Sequence, residues 1–266
     1  MVIKRLFSFS VFFVALCASA FFSHAWADDS AWRVAIEQDR SQEVMRELAQ
    51  GMDPNSRDSE LNPALMVAIR NQSWGAYDVL LANRNTDIEL ANGRQETPMM
   101  YLALLGETKR LQALQQRGGQ VNRLGWTPLH YAASKGHLDT VRYLLTQKAI
   151  VNAPAPNGTS PLMMAAFSGK RDVVDALLAA GADSRMQNAE HLKASDWARS
   201  AGHEQLASYL EEVEQGRQTP SSSVNSSANK PAPAQSQNKR SAVKPDASQG
   251  SARYFDLDRF DEPSTP

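Results

Sequence analysis

Residues 125–137 read GWTPLHYAASKGH. Two histidines, a tyrosine, a serine and a lysine crowd this stretch, and such side chains build metal sites and hydrolytic triads. Whether they are chemistry or scaffolding decides both the fold and the function. The residues between them favour scaffolding. Thr127 suits the capping position of a helix, and Pro128 suits its first turn, where a missing N–H costs nothing. Ala132 and Ala133 are small enough for two helices to approach closely. Gly136 suits the left-handed residue that ends a helix. Beyond it, Val141, Leu144 and Leu145 recur at helical spacing and face a common stack.

The pattern recurs along the chain. The step from Pro128 to Gly136 is matched from Pro161 to Gly169 and from Pro98 to Gly106, and more weakly from Pro63 to Asn71, Ala194 to Gly202 and Ala31 to Asp39. The copies start near 31, 63, 98, 128, 161 and 194. Thr127–Ala133, Ser160–Ala166 and Thr97–Ala103 are the three best matched openings. Leu138–Leu145 and Arg171–Leu178 are matched second runs, and two units close in Ala149-Ile150-Val151-Asn152 and Gly181-Ala182-Asp183.

This series is similar to the ankyrin repeat, over roughly residues 29–213 and most closely over 125–183. The resemblance implies an all-α solenoid of about six helix-turn-helix units with β-turn fingers between them. Each unit has an apolar face that only a neighbour buries, so end units depart from the pattern. Ala31-Trp32-Arg33-Val34-Ala35 and Ala194-Ser195-Asp196-Trp197-Ala198 do so, and both are read as caps. Residues 62–122 are the least regular part, with an insertion around Asn83–Asp87 and a short third unit approaching its finger through Arg117–Asn122. The solenoid is expected to continue through them with a locally altered finger.

The flanks differ from the repeats. Lys4 and Arg5 precede an apolar run from Leu6 to Phe22, and Ala25-Trp26-Ala27 has the small-x-small form of a secretory cleavage site. Residues 1–27 are therefore expected to be a signal peptide cut after Ala27, leaving a repeat domain over 28–215. This predicts a periplasmic or secreted protein with no stable membrane insertion. Cys17 follows Leu16, which does not fit a lipid-attachment box, and it falls in the discarded segment. The mature chain then has no cysteine, which excludes disulfides, a thiolate nucleophile and a thiolate metal site. A cysteine-free exported protein of this kind looks bacterial. Residues 216–266 form a Ser/Pro/Gln/Asn-rich tail that cannot offset its chain entropy by burial, so it is expected to be disordered. At its end Arg253-Tyr254-Phe255-Asp256-Leu257-Asp258-Arg259-Phe260 restores aromatic residues among charges. That segment is either more of the same tail or a docking motif that orders on a partner or on this protein's own surface.

Chemistry finds little support. His130 and His137 have no carboxylate between them and no evident further ligands; the resemblance makes both structural, the first bonding backbone in the neighbouring turn. Ser134, His137 and Asp139 lack a Gly-x-Ser-x-Gly elbow, and there is no Gly-rich phosphate loop or His-Glu-x-x-His. Asn71-Gln72-Ser73, Asn157-Gly158-Thr159 and Asn225-Ser226-Ser227 match the glycosylation sequon, though Asn157-Gly158 reads better as a turn. A net charge of −1 argues against nonspecific nucleic-acid binding.

No enzyme activity and no cofactor are therefore expected. The expected function is protein–protein interaction by a monomer in the periplasm, through finger tips and the concave face of the first helices. The partner is another protein. The resemblance also suggests a protective factor, for example around oxidative-stress enzymes, and a rival reading is an immunity-type inhibitor whose concave face plugs the active site of a periplasmic enzyme or toxin. Carried through the register, the position of Ser134 reads Glu37, Ile69, Leu104, Ser134, Phe167, Ser200, and that of Tyr131 reads Val34, Met66, Tyr101, Tyr131, Met164, Trp197. The candidate contact residues are Trp126, Tyr131, Ser134, Lys135, Leu104, Phe167 and Tyr101, expected to be exposed.

Overall fold

A computed structural model describes residues 24–216, with side chains from residue 31 onward. Residues 1–23 of the expected signal peptide and the tail from residue 217, with its 253–260 motif, lie outside the described residues, whereas residues 24–27 open a helix, His24–Glu37, that runs past the expected cut after Ala27. Twelve α-helices and no strand occur among the described residues. They fall into two compact units, divided at Pro98.

The first unit holds α1 (His24–Glu37), α2 (Ser41–Ala49), α3 (Ala64–Arg70) and α4 (Trp74–Ala82). Each helix pair packs on itself, and the two pairs pack on each other. Trp32 is buried and donates its indole N–H to Ser56 Oγ at 2.8 Å. The two repeats are joined by side chains that cap backbone. Asp39 Oδ1 accepts from the Ala76 amide at 2.7 Å, satisfying an orphan N–H in the first turn of α4. Ser73 Oγ donates to the Glu37 carbonyl at 3.1 Å. Pro63 stands just before α3 rather than within it, in extended conformation, and forms an isolated antiparallel bridge with Arg57.

The insertion at 83–87 is absorbed locally. α4 ends at Ala82, and Asn83 turns extended. Asn83 Oδ1 then accepts from the Asn85 amide at 2.9 Å, and Thr86 Oγ1 donates to the Leu80 carbonyl at 2.7 Å.

The second unit holds α5 (Pro98–Leu105), α6 (Thr108–Gln116), α7 (Pro128–Lys135), α8 (Leu138–Thr146), α9 (Pro161–Ser168), α10 (Arg171–Ala179), α11 (Ala194–Ser200) and α12 (Glu204–Glu214). α7, α9 and α11 pack side by side, and α8 packs on α10. Ala132, Ala133, Ala165, Ala166 and Ala198 are fully buried, which lets the short first helices lie close. Val141 and Leu144 of α8, Val173 and Leu177 of α10, and Ala207 and Leu210 of α12 are fully buried at helical spacing. Each large apolar side chain buried in this way stabilises the stack by about 2 kcal/mol.

Gly136 ends α7 in the left-handed conformation, at φ 76°. Gly106 occupies the same place after α5, and a Cβ there would come within 2.6 Å of the His137 ring. The next repeat therefore approaches closely enough to forbid any side chain at that site.

Candidate protein-binding surface

His130 carries the joint between the fourth and fifth repeats. Its Nδ1 lies 3.2 Å from the Thr127 amide and 2.9 Å from Thr127 Oγ1, closing a capping box. Its Nε2 lies 3.0 Å from the Thr159 carbonyl oxygen. An amide N–H can only donate, so Nδ1 accepts, and Nε2 carries the hydrogen it gives to Thr159. Burial pushes the ring's pKa down to about 4, so it is neutral near pH 7. His137 Nε2 bonds the Leu104 carbonyl at 2.8 Å, on the opposite side of the repeat. Both histidines are used up in joining repeats. Among the described residues, no group of three or more His, Cys, Asp and Glu is gathered to hold a metal ion. No described helix is long and apolar enough to cross a membrane.

The seven expected contact residues do not form one exposed patch. Tyr131 is 1% exposed, and Leu104, Tyr101 and Ser134 are also buried. Their expected exposure is corrected for a packing reason. α9 packs against α7, in which Pro128 through Ser134 are all buried, and the Ser134 hydroxyl donates to the Tyr131 carbonyl at 2.8 Å. On α5, Met99 through Leu104 are buried without a break. Lys135, Trp126 and Phe167 are half-buried. Trp126 stands edge-on to the His130 ring at 5.2 Å between centroids, and Phe167 stands edge-on to Trp197 at 5.9 Å. Each presents part of a ring outward while packing the rest on its own scaffold.

Besides Met45 on α2, the large apolar side chains that are exposed lie outside the helices, those of the second unit on its fingers. Leu124 is 97% exposed, Ile150 55% and Leu192 37%. The sequence register missed them because it followed helix positions, and fingers have no helical period. The usable signal was a leucine two residues before Trp126, set between Asn122-Arg123 and Gly125.

These fingers are held in a row by asparagines. Asn122 gives its side-chain N–H to the Lys148 carbonyl at 2.9 Å and accepts from the Ile150 amide at 2.8 Å. Asn152 repeats the clasp one unit on, with the Gly181 carbonyl at 3.1 Å and the Asp183 amide at 2.9 Å. Asn55 does the same in the first unit, with the Asn85 carbonyl at 2.9 Å and the Asp87 amide at 2.7 Å. A primary amide has one donor and one acceptor end, so it can bond a carbonyl and an amide two residues apart in the next turn. The Ala189 amide also donates to the Asn157 carbonyl at 2.8 Å, and Gly125 stands beside Pro156, where a Cβ would make an ordinary contact at 3.6 Å.

The last repeat is closed by charge. Glu214 accepts from Lys193 Nζ and from Ser195 Oγ, each at 2.9 Å, and Arg199 pairs with Glu211. The Glu214 carboxylate holds the Lys193 ammonium above its ordinary pKa. Arg171 lies 3.2 Å over the Tyr209 ring, and Tyr209 donates to Asp175 at 2.8 Å. Burial, then that hydrogen bond, pushes the Tyr209 phenol upward.

Two-helix repeats stacked through buried alanines, joined by backbone clasps and separated by ordered fingers, define a class of helical binding scaffold. A family model for ankyrin repeats in three copies matches residues 65–155 and 105–188. The chain carries ankyrin repeats across those residues, and its fold is the ankyrin-repeat solenoid. A solved ankyrin repeat domain from Acinetobacter baumannii AYE is similar, with 28% identity, a TM-score of 0.58, and coverage of 69% of this chain and 98% of that one. Ankyrin repeat and SAM domain-containing protein 6 of Rattus norvegicus is 26% identical over 141 residues, 49% of this chain and 15% of that protein. Transient receptor potential cation channel subfamily A member 1 of Homo sapiens is 29% identical over 145 residues, 52% of this chain and 13% of that protein. The chain thus spans a small part of these curated relatives' length. Ankyrin repeats are protein-interaction scaffolds.

Proposed function

We propose that this chain is a non-enzymatic, monomeric scaffold, exported to the periplasm or secreted, that binds a partner protein along its finger row. The observation that carries this reading is Leu124, almost fully exposed on a finger whose backbone is clasped to its neighbour through Asn122. Exposed apolar side chains on a pre-ordered backbone favour binding, because little chain entropy is lost on docking. Trp126 supplies half of an aromatic ring beside it, and Lys135 and Phe167 extend the surface onto the first helices. Aromatic side chains of this kind are favoured anchors of interfaces.

The alternative of an inhibitor or protective factor for a periplasmic enzyme or toxin uses the same surface and differs in stoichiometry and effect. Affinity purification of the chain from the exported fraction, with Leu124→Ser as the control, tests the proposal. A protein retained by the native chain and lost with Leu124→Ser is expected. Equal retention by both would overturn the finger row as the binding surface. A one-to-one complex that silences or preserves an enzyme's activity would select the alternative.

A further inference from the structure

Gly216, the last described residue, lines one cleft with Val213, Glu214 and the finger residues Gly181, Asp183 and Arg185. The chain therefore leaves its last helix at the edge of the finger row, not at the far ends of the helices. We infer that residues 253–260 of this same chain fold back and occupy the finger row around Leu124 and Leu192. The inference rests on the reading of that row as a binding surface, and it gives the surface a resident ligand that a partner must displace.

Three further features support it. The first is reach. Residues 217–252 contain almost no large apolar side chain, and a coil of that length spans about 30 Å on average, enough to return to neighbouring fingers. The second is chemistry. Tyr254, Phe255, Leu257 and Phe260 are the concentrated apolar side chains of the tail, and Leu124, Ile150 and Leu192 are exposed apolar side chains of the second unit. The finger side chains lack burial, and aromatic and leucine side chains of this kind are suited to supply it. The third is charge. Asp256 and Asp258 alternate with those apolar residues between Arg253 and Arg259, so the segment carries both signs, and the fingers also present both, with Lys148 and Arg185 exposed beside Asp183 and Glu190. A tether of this kind sets an effective concentration on the order of 1 mM, so a segment with a separate-chain Kd of about 0.1 mM stays docked about nine-tenths of the time.

Hydrogen exchange of the full chain tests this directly. The native chain is compared with Phe255→Ser/Leu257→Ser/Phe260→Ser and with Leu124→Ser, at several protein concentrations. Leu124 is outside the core, so its replacement leaves folding intact. At nine-tenths occupancy, finger amides over 120–127 and 186–193 are expected to exchange about tenfold more slowly in the native chain than in either variant. A synthetic 253–262 peptide is expected to bind the tail variant and to bind the native chain far more weakly. Equal exchange in all three chains would overturn the inference. So would protection that grows with protein concentration, since the occupant would then be a second copy. The two readings fail separately. Loss of partner capture with Leu124→Ser, alongside unchanged exchange in the tail variant, removes only the tail. Unchanged capture alongside slowed exchange removes only the external partner.

Discussion

The His130 Nε2–H donates to the Thr159 carbonyl at 3.0 Å, so a ring from one repeat adds a second hydrogen bond to a finger carbonyl that already accepts from the Ala155 amide at 2.9 Å. The same ring closes its own helix cap through Thr127. Replacing His130 with Ala leaves a void, opens the cap at Thr127 and leaves the Thr159 carbonyl held by the Ala155 amide alone. We expect His130→Ala to destabilise the fold by about 3 kcal/mol in chemical denaturation. Added zinc is expected to leave the melting temperature of the native chain unchanged; a rise would give the ring a metal-binding role.

Stability should fall on mild acidification for the same reason. The unfolded chain takes up the His130 proton near pH 6.5, while the folded chain resists until about pH 4. Between those values the unfolded state binds more protons, so stability is complete above that window and declines as pH falls through it. The loss attributable to this one ring is about 3 kcal/mol by pH 4. Denaturation midpoints measured from pH 7 to 4 should show it, and His130→Asn should flatten that part of the profile.

Burial separates contact residues from structural ones. Tyr131→Ala removes a fully buried ring and should destabilise by about 3–5 kcal/mol. Leu124→Ser should change stability by less than about 0.5 kcal/mol. Thermal melts of the two variants check this, and a large effect at Leu124 would place that side chain in the core.

The asparagine clasps should act locally. Asn152→Ala removes both bonds to the next turn, so about 1 kcal/mol of stability should be lost. Hydrogen exchange should rise at Gly181–Asp183 while α9 stays protected. Exchange that rises equally everywhere would show that the clasp holds the whole stack rather than one finger.

The repeat units were legible because helix formation and capping are local. Thr127, Pro128 and Gly136 each suit one backbone position, and those positions lie within a single helix. The closeness of neighbouring repeats was legible from Gly106 and Ala132 only as permission. Whether a neighbour takes up that room depends on His137, a repeat away. The finger tips were expected as a contact surface, but which of their side chains stay exposed, Leu124 above all, was illegible for a different reason. Finger residues are placed by hydrogen bonds between turns about 30 positions apart, such as Asn122 with Lys148, and no local period announces them.

The sequence by itself determined the helices, their register and the all-helical repeat fold, since these follow from periodic burial and from caps within each unit. Only the tertiary structure decided which faces stay open. A helical period shows which side chains share a face, but the neighbour's approach decides whether that face meets water. Tyr131, Ser134 and Leu104 share a face that the packed fold buries, and Leu124, with no helix to place it, is left outside.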